Sequence, residues 1–96
     1  MERKLDRATN HVVVCGYGRV GAKTAKLLGG DEQTIVVIEH DPERALVAAD
    51  DGFLVVRGDA TTDEVLQEAG LERARVLVTA LPTDADNIYV VLTGRS

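Results

Sequence analysis

Short apolar runs rich in β-branched residues recur along the chain at residues 11–15, 34–38, 53–56 and 75–79. Each run is continuous rather than alternating with polar residues, which is typical of strands that helices cover on both faces of a parallel sheet. The segments between them carry the start and stop signals of helices. The pattern therefore predicts four strands that alternate with helices.

Three of the intervening segments have well-defined ends. Residues 19–28 place apolar side chains at helical spacing and stop at a Gly-Gly pair. Residues 41–43, Asp-Pro-Glu, combine a cap residue, a proline at the first helical position and an acid in the first turn. Thr61 and Glu64 form a capping-box pattern for a third helix, which Gly70 closes.

A fourth helix is predicted to open at residues 82–84 and to run through Ile88, Val91 and Leu92. The alternation of strands and helices predicts an α/β fold, a Rossmann-like doubly wound parallel sheet. A full dinucleotide fold has six strands, so four strands predict a lobe whose C-terminal part is missing. The fourth strand would then be a bare edge. Such an edge, with the last helix beside it, predicts a homo-oligomer, either a dimer or a multiple of dimers.

Charge and composition exclude several classes of partner. The net charge is −5 and the pI is about 4.9, so we expect no nucleic-acid partner. No apolar run approaches the ~20 residues that span a bilayer, so we expect no membrane insertion of this segment. The single cysteine, Cys15, indicates a reducing, intracellular compartment and a buried position at a strand end. Residues 1–10 are polar and predict a linker or a short helix.

A glycine-rich turn follows the first predicted strand directly. Residues 16–21, Gly-Tyr-Gly-Arg-Val-Gly, complete the G-x-G-x-x-G pattern inside a strand–turn–helix unit. Gly16 permits the tight turn, Gly18 lets the backbone approach a diphosphate, and Gly21 lets the helix pack close to the strand. The amide groups of Gly18, Arg19 and Val20 would then point at phosphate oxygens. The turn predicts a nucleotide site.

Glu39 closes the second predicted strand at the position where this fold places an acid, about 20 residues after the loop. A carboxylate there accepts hydrogen bonds from both ribose hydroxyls of an adenosine and repels a 2′-phosphate. NADP is therefore disfavoured. Glu39 as a plain solvent-facing strand end is the alternative.

Other residues near the glycine-rich loop and Glu39 are weaker candidates for the nucleotide site. Arg19 would neutralise a terminal phosphate or remain a solvated first-turn residue. Asp59 would reach an adenine edge or serve as a turn residue. Ala80 and Leu81 would line the cleft, whereas His11 has no partner at ligand spacing. The candidate cofactor-binding residues are Gly16, Tyr17, Gly18, Arg19, Val20, Gly21, Glu39, His40, Asp59, Ala60 and Ala80.

These residues together resemble a known family. The run 11–21, His-Val-Val-Val-Cys-Gly-Tyr-Gly-Arg-Val-Gly, is similar to the N-terminal lobe of RCK domains, also called KTN or TrkA-N domains. Residues 37–44, 57–61 and 84–95 match the same pattern. The Gly-Asp-Ala-Thr run after the third strand is the most discriminating part, because general dehydrogenases do not need it. The resemblance makes residues 11–96 a truncated TrkA-N nucleotide-binding domain and residues 1–10 a tether.

The resemblance also implies a function. RCK domains regulate potassium channels and transporters from the cytoplasm, at the inner face of the plasma membrane. By resemblance the site would bind NAD(H), with ATP, ADP or AMP as alternatives, at Gly16–Gly21, Glu39 and Asp59. Lobes of this family pair and assemble into a ring, and ligand occupancy controls ion conductance. The resemblance therefore implies a non-enzymatic regulatory domain whose partner is a membrane potassium channel or transporter subunit.

Three rival interpretations remain open. The first rival is the cofactor-binding half of a small NAD-dependent oxidoreductase, but Tyr89 has Thr93 where a Tyr-Lys catalytic pair would place lysine. A methyltransferase would carry an acid near the first glycine, where Cys15 stands. Acidic pairs such as Asp50-Asp51 would suit a calcium sensor, yet the sequence has no EF-hand loop.

Overall fold

A computed structural model of the chain describes residues 4–30, 32–79 and the backbone of 89–92. The four predicted strands lie within one residue of their runs, and two of the three predicted helices with well-defined ends begin where the sequence places them. The elements are α1 (Lys4–Arg7), β1 (Val12–Cys15), α2 (Arg19–Leu28), β2 (Ile35–Glu39), α3 (Pro42–Asp50), β3 (Leu54–Arg57), α4 (Asp63–Glu68), a 3-10 turn (Leu71–Arg73), β4 (Val76–Thr79) and β5 (Tyr89–Leu92).

The sheet has the strand order β3-β2-β1-β4-β5. The strands β1 to β4 are parallel, with Val14 of β1 in register with Val37 of β2 and Val78 of β4. Strand β1 therefore lies at the centre, and the ends of β1, β2 and β3 come out side by side. This arrangement confirms the Rossmann-like parallel sheet.

Helices cover both faces of the sheet, because alternate residues of each strand point to opposite sides. On one face Ala25 of α2 and Ala48 of α3 pack on the strands with Val14 and Val37. On the other face the α4 side packs against Val13, Cys15, Val36 and Ile38. Continuous apolar strands are thus buried on both sides, as the doubly wound prediction requires.

Cys15 is 1% exposed and free, which confirms its predicted core position. Burial raises the pKa of its thiol to about 11. His11 is also fully buried, and its Nε2–H donates to the carbonyl oxygen of Ala69 at 2.8 Å. Burial lowers the pKa of this imidazole. Both groups therefore belong to the packing of the sheet rather than to a reactive site.

The predicted fourth helix is wrong over residues 89–92. These residues form β5, which pairs antiparallel with β4, Thr79 lying opposite Tyr89. The run Tyr-Val-Val-Leu is rich in aromatic and β-branched residues, and a short apolar run fits either a helix or a strand by periodicity alone. The predicted bare edge at β4 is wrong for the same reason, since β5 occupies it. Residues 82–88 of that helix lie outside the described residues.

One local prediction also changes, at the start of α4. The cap of α4 is Thr62, whose hydroxyl accepts the amide of Val65 at 3.4 Å, and not Thr61. Thr61 instead bonds to Asp59. At the N-terminus, Lys4–Arg7 form a short helix with Leu5 buried at 6% exposure. The tether role of residues 1–10 stays a prediction. None of the described helices is long and apolar enough to cross a membrane.

Candidate functional site

The predicted site residues on the first three strands meet at one edge of the sheet. The glycine-rich loop follows β1, Glu39 is the last residue of β2, and Asp59 comes two residues after β3. Because β1, β2 and β3 are parallel neighbours, their carboxyl ends lie together, where ligands of open α/β sheets bind. Ala80, the predicted contact after β4, lies outside the described residues.

The glycine-rich loop has the turn that the sequence predicts. Gly16 has a φ of +99°, which a side chain rarely tolerates, and its amide donates to the Ile38 carbonyl at 2.8 Å. Gly18 is the N-cap of α2 in an extended conformation, and no side chain caps the helix there. The first turn of α2 carries no acid. The helix therefore begins with amide groups available to an external anion.

Gly18 leaves room for that anion. A Cβ atom at this position would meet only the guanidinium of Arg44, at 3.8 Å from Nη1 and 3.9 Å from Cζ. Gly21 is buried within α2. The space over Gly18 is therefore a cradle that a side chain would fill. Its cationic wall and uncapped helix start fit a diphosphate group.

Tyr17 contributes to the loop through its backbone. Its side chain is 3% exposed and packs edge-on against Phe53, with the ring centroids 5.9 Å apart. The hydroxyl donates to Asp51 Oδ2 at 2.5 Å, and burial, followed by this bond, raises the pKa of the phenol above its usual range. The ring thus anchors the loop to the C-terminal end of α3. It does not line the site.

Glu39 joins the loop to the start of α3. The residue is 3% exposed. Its Oε1 accepts the amide of Tyr17 at 2.6 Å and its Oε2 accepts the amide of Asp41 at 2.9 Å. The solvent-facing alternative for Glu39 is therefore wrong. A carboxylate has about four acceptor positions, so two backbone bonds leave capacity for ribose hydroxyls.

The remaining predicted residues form the exposed rim. Arg19 is exposed at the first position of α2, and Val20 and Ala60 are half-buried. The His40 side chain is 73% exposed, with Nδ1 3.4 Å from Glu39 Oε2. Asp59 is exposed, and its Oδ1 accepts the amide and the hydroxyl of Thr61 at 2.8 and 2.7 Å. These two bonds lower the pKa of Asp59.

Arg44 is the site residue that sequence reasoning missed. It lies in the first turn of α3, yet its guanidinium reaches across to Gly18 at the start of α2. A signal was present in the sequence, because a cation in the first turn of a helix is opposed by the helix dipole. An anionic ligand beside Gly18 would offset this unfavourable interaction.

The fold and the loop define the class of protein. It is a Rossmann-like α/β domain with a G-x-G-x-x-G loop at the carboxyl ends of its parallel strands. Comparison with known proteins gives the family. The family model described as TrkA-N domain matches residues 12–96, and the chain belongs to this family. The resemblance to RCK (TrkA-N) domains is thereby confirmed.

Similar proteins and solved structures agree with this family assignment. The chain is 35% identical over 102 residues to "Probable potassium channel protein 2" of Methanocaldococcus jannaschii, covering 99% of this chain and 29% of that protein. The TrkA-N domain of the inner membrane protein ybaL from Escherichia coli superposes with a TM-score of 0.69 and 35% identity, covering 75% of this chain and 53% of that one. The GsuK RCK domain superposes with a TM-score of 0.63 and 25% sequence identity, covering 75% of this chain and 16% of that one. The chain thus spans less than a third of the curated relatives it matches.

Proposed function

We propose that this chain is a nucleotide-sensing regulatory domain of a potassium channel or potassium-uptake system. The ligand is NAD(H), with ATP, ADP or AMP as alternatives. The domain works in the cytoplasm at the inner face of the plasma membrane, held there by its channel or transporter subunit. Membership of the TrkA-N family and similarity to a probable potassium channel protein support this assignment.

One observation carries the nucleotide part of the proposal. The start of α2 lacks both a side-chain cap and a first-turn acid, and Gly18 leaves an open cradle there. Unsatisfied amides at a helix start attract an anion through hydrogen bonds and through the positive end of the helix dipole. The backbone of Gly18, Arg19 and Val20 would hold the diphosphate.

The ribose would lie at Glu39. The carboxylate is held in place by the amides of Tyr17 and Asp41, so it is oriented before the ligand arrives. Its remaining acceptor positions suit the two hydroxyls of an adenosine ribose. A 2′-phosphate would bring a second negative charge against this buried carboxylate, so NADPH would bind more weakly than NADH.

A sensor fits the chain better than the oxidoreductase that remains its rival. Hydride transfer requires a proton donor as well as a cofactor site. Thr93 stands where a Tyr-Lys pair with Tyr89 would place its lysine, and no lysine follows Lys26 in the sequence. Ligand binding would instead act on the conformation and assembly of the regulatory domains.

Thermal denaturation with a nucleotide panel tests the proposal. NADH, NADPH, ATP, ADP and AMP are each added to the protein, and its melting temperature is measured. Titration calorimetry then gives the affinity of each nucleotide that raises the melting temperature. A ligand at 100 times its dissociation constant stabilises the fold by about 2.7 kcal/mol. We expect stabilisation by NADH or an adenine mononucleotide and a weaker effect of NADPH. Equal affinity for NADH and NADPH would remove the ribose assignment, and no response to any member would remove the nucleotide proposal.

A further inference from the structure

An open cleft of about 820 Å³ lies at the amino ends of β2 and β3, on the opposite edge of the sheet from the glycine-rich loop. Its walls come from α1, from the residues that follow α2 and α3, and from the first residues of the two strands. Binding sites for small molecules are typically concave spaces of roughly 300–1,000 Å³. The cleft has this size, and none of the described candidates for nucleotide binding lines it.

The charged residues that line this cleft, among those the structure describes, are all cations. They are Lys4, Arg7 and Lys26. Lys4 and Arg7 lie one turn apart in α1, and Lys26 lies in the last turn of α2. The chain as a whole has a net charge of −5, so a cleft lined by cations differs from the average of its surface. Charges of one sign around a concave space attract ions of the opposite sign, so the cleft favours an anion.

Lys26 is available to a ligand although an acid lies beside it. Its Nζ is 3.7 Å from Asp51 Oδ2, which is longer than a hydrogen bond, and its side chain is 60% exposed. An exposed ion pair of this kind contributes little to stability. The same oxygen of Asp51 accepts the hydroxyl of Tyr17, so Asp51 keeps a partner when the lysine turns away. Lys26 also offsets the negative end of the α2 dipole, which would otherwise oppose an anion at this edge.

The rest of the cleft combines apolar side chains with open backbone. Ile35 is buried and Phe53 is half-buried, and the Phe53 ring is held in place by its edge-on contact with Tyr17. Gly30 and Gly52 also line the cleft, and a Cβ atom at either position would meet nothing within 4 Å. A ligand can therefore approach the backbone there. Sites for organic ligands pair apolar walls with a few polar groups, so this lining suits an organic anion better than a bare inorganic ion.

We propose that this cleft is a second ligand site, which binds a small organic anion that has a flat apolar body and at least two negative groups. The ammonium groups of Lys4 and Lys26, which come from two different helices, would bind the negative groups. The apolar body would pack on Phe53 and Ile35. Because the cleft and the glycine-rich loop lie at opposite edges of the sheet, the chain would hold this anion and a nucleotide at the same time.

Pyrene tetrasulfonate, a flat fluorescent anion, is the probe for this site. Its fluorescence anisotropy is measured while the protein is added. We expect saturable binding that weakens as salt is raised from 50 to 500 mM, because the charges of the exposed lysines are then screened. Anisotropy that does not change with up to 1 mM protein overturns the proposal.

Single-charge variants test the role of the two lysines. Lys4→Gln and Lys26→Gln should each weaken probe binding about two- to fivefold, as expected for one exposed charge pair, and the double variant about tenfold. Lys23→Gln removes the same charge from α2 outside the cleft and should leave the affinity unchanged. All three lysines are exposed, so the variants should fold, and thermal denaturation checks this. Equal losses in Lys23→Gln and Lys26→Gln would show that the probe responds only to net charge, which contradicts the proposal.

Nuclear magnetic resonance locates the bound probe on the nitrogen-15-labelled chain. The amide signals of Gly30, Gln33 and Gly52 should shift when the probe is added, and those of Gly16 and Gly18 should not. Saturating NADH should leave the affinity for the probe unchanged. Displacement of the probe by NADH, or shifts confined to the glycine-rich loop, would place the probe in the nucleotide site and overturn the second site. A chain that binds the probe in the cleft but no nucleotide would overturn the nucleotide proposal alone.

Discussion

Helices α2 and α3 begin at the same edge of the sheet, yet their first turns are built differently. At α3, Asp41 Oδ2 accepts the amide of Arg44 at 3.0 Å, Pro42 has no amide to satisfy, and Glu43 places an acid in the first turn. At α2 the cap is Gly18, with no side-chain bond and no first-turn acid. The first amides of α3 are satisfied by its own sequence, whereas no side chain satisfies those of α2.

The missing cap at α2 is the feature on which the proposed nucleotide site rests. The first amides of any helix lack intrahelical partners and carry roughly half a positive charge. Helix α4 follows α3 in satisfying them, through the hydroxyl of Thr62 and the acids Asp63 and Glu64. Capping therefore distinguishes α2 from α3 and α4. The predictions below change one helix start or the links between the two.

The largest effect is expected from giving α2 the cap it lacks. Gly18→Asp places a carboxylate at the N-cap, where it accepts the first amides and repels a diphosphate. Nucleotide affinity should fall about 100-fold or more, since several charge-assisted hydrogen bonds are lost. The melting temperature should stay equal or rise. Calorimetry and thermal denaturation measure the two quantities.

Lys23→Gln is the matched control for Gly18→Asp, because it makes the same change in net charge on the outer surface of α2. It should bind nucleotide as the wild type does. If Gly18→Asp also binds with unchanged affinity, the glycine-rich loop is structural only, and the contrast between α2 and α3 has no bearing on function.

Glu39→Gln tests the link between the two helix starts. The amide oxygen still accepts from Tyr17, but the NH₂ group faces the amide of Asp41, which loses its acceptor. An unsatisfied polar group of this kind costs about 1–3 kcal/mol in the free energy of unfolding. The preference for NADH over NADPH should narrow, because the carboxylate charge is gone.

Urea denaturation measures the cost of Glu39→Gln, with Glu32→Gln as the control at an exposed position before β2, outside any helix. The control should change the free energy of unfolding by less than about 0.5 kcal/mol. Equal stability of the two variants would mean that Glu39 does not hold the loop and α3 together.

The parallel sheet and the loop were accessible from the sequence, because continuous β-branched runs and a strand-glycine-helix unit depend on local pattern. The buried position of the Tyr17 side chain could not be predicted from the sequence, because it depends on contacts with Phe53 and Asp51, which are distant in sequence. Residues 82–84 carry a helix start signal, which extends the predicted helix over residues 89–92, and an apolar run of four fits the spacing of a helix as well as that of a strand. Only the pairing of residues 89–92 with β4 makes them a strand.

Asp41→Ala removes the cap that α3 has and α2 lacks. Loss of the bond to the Arg44 amide should lower the free energy of unfolding by about 1 kcal/mol. Nucleotide affinity should change little, because the carboxylate of Asp41 serves its own helix. Asp41→Asn keeps an acceptor and should restore most of the stability. A large loss of nucleotide affinity in Asp41→Ala would show that the two helix starts are not separate in function.

The smallest effect is expected at Arg44, which belongs to α3 by its backbone and to the α2 start by its guanidinium. Arg44→Ala keeps the backbone bond to Asp41, and removing a cation from a first turn does not weaken the helix. Because the guanidinium is exposed, its attraction for a diphosphate is screened, and nucleotide affinity should fall only about three- to tenfold. Arg75→Ala removes an equal charge near the amino end of β4 and should leave affinity unchanged. The difference between the two variants should shrink as salt is raised from 50 to 500 mM, and equal affinities of the two at low salt would remove Arg44 from the site.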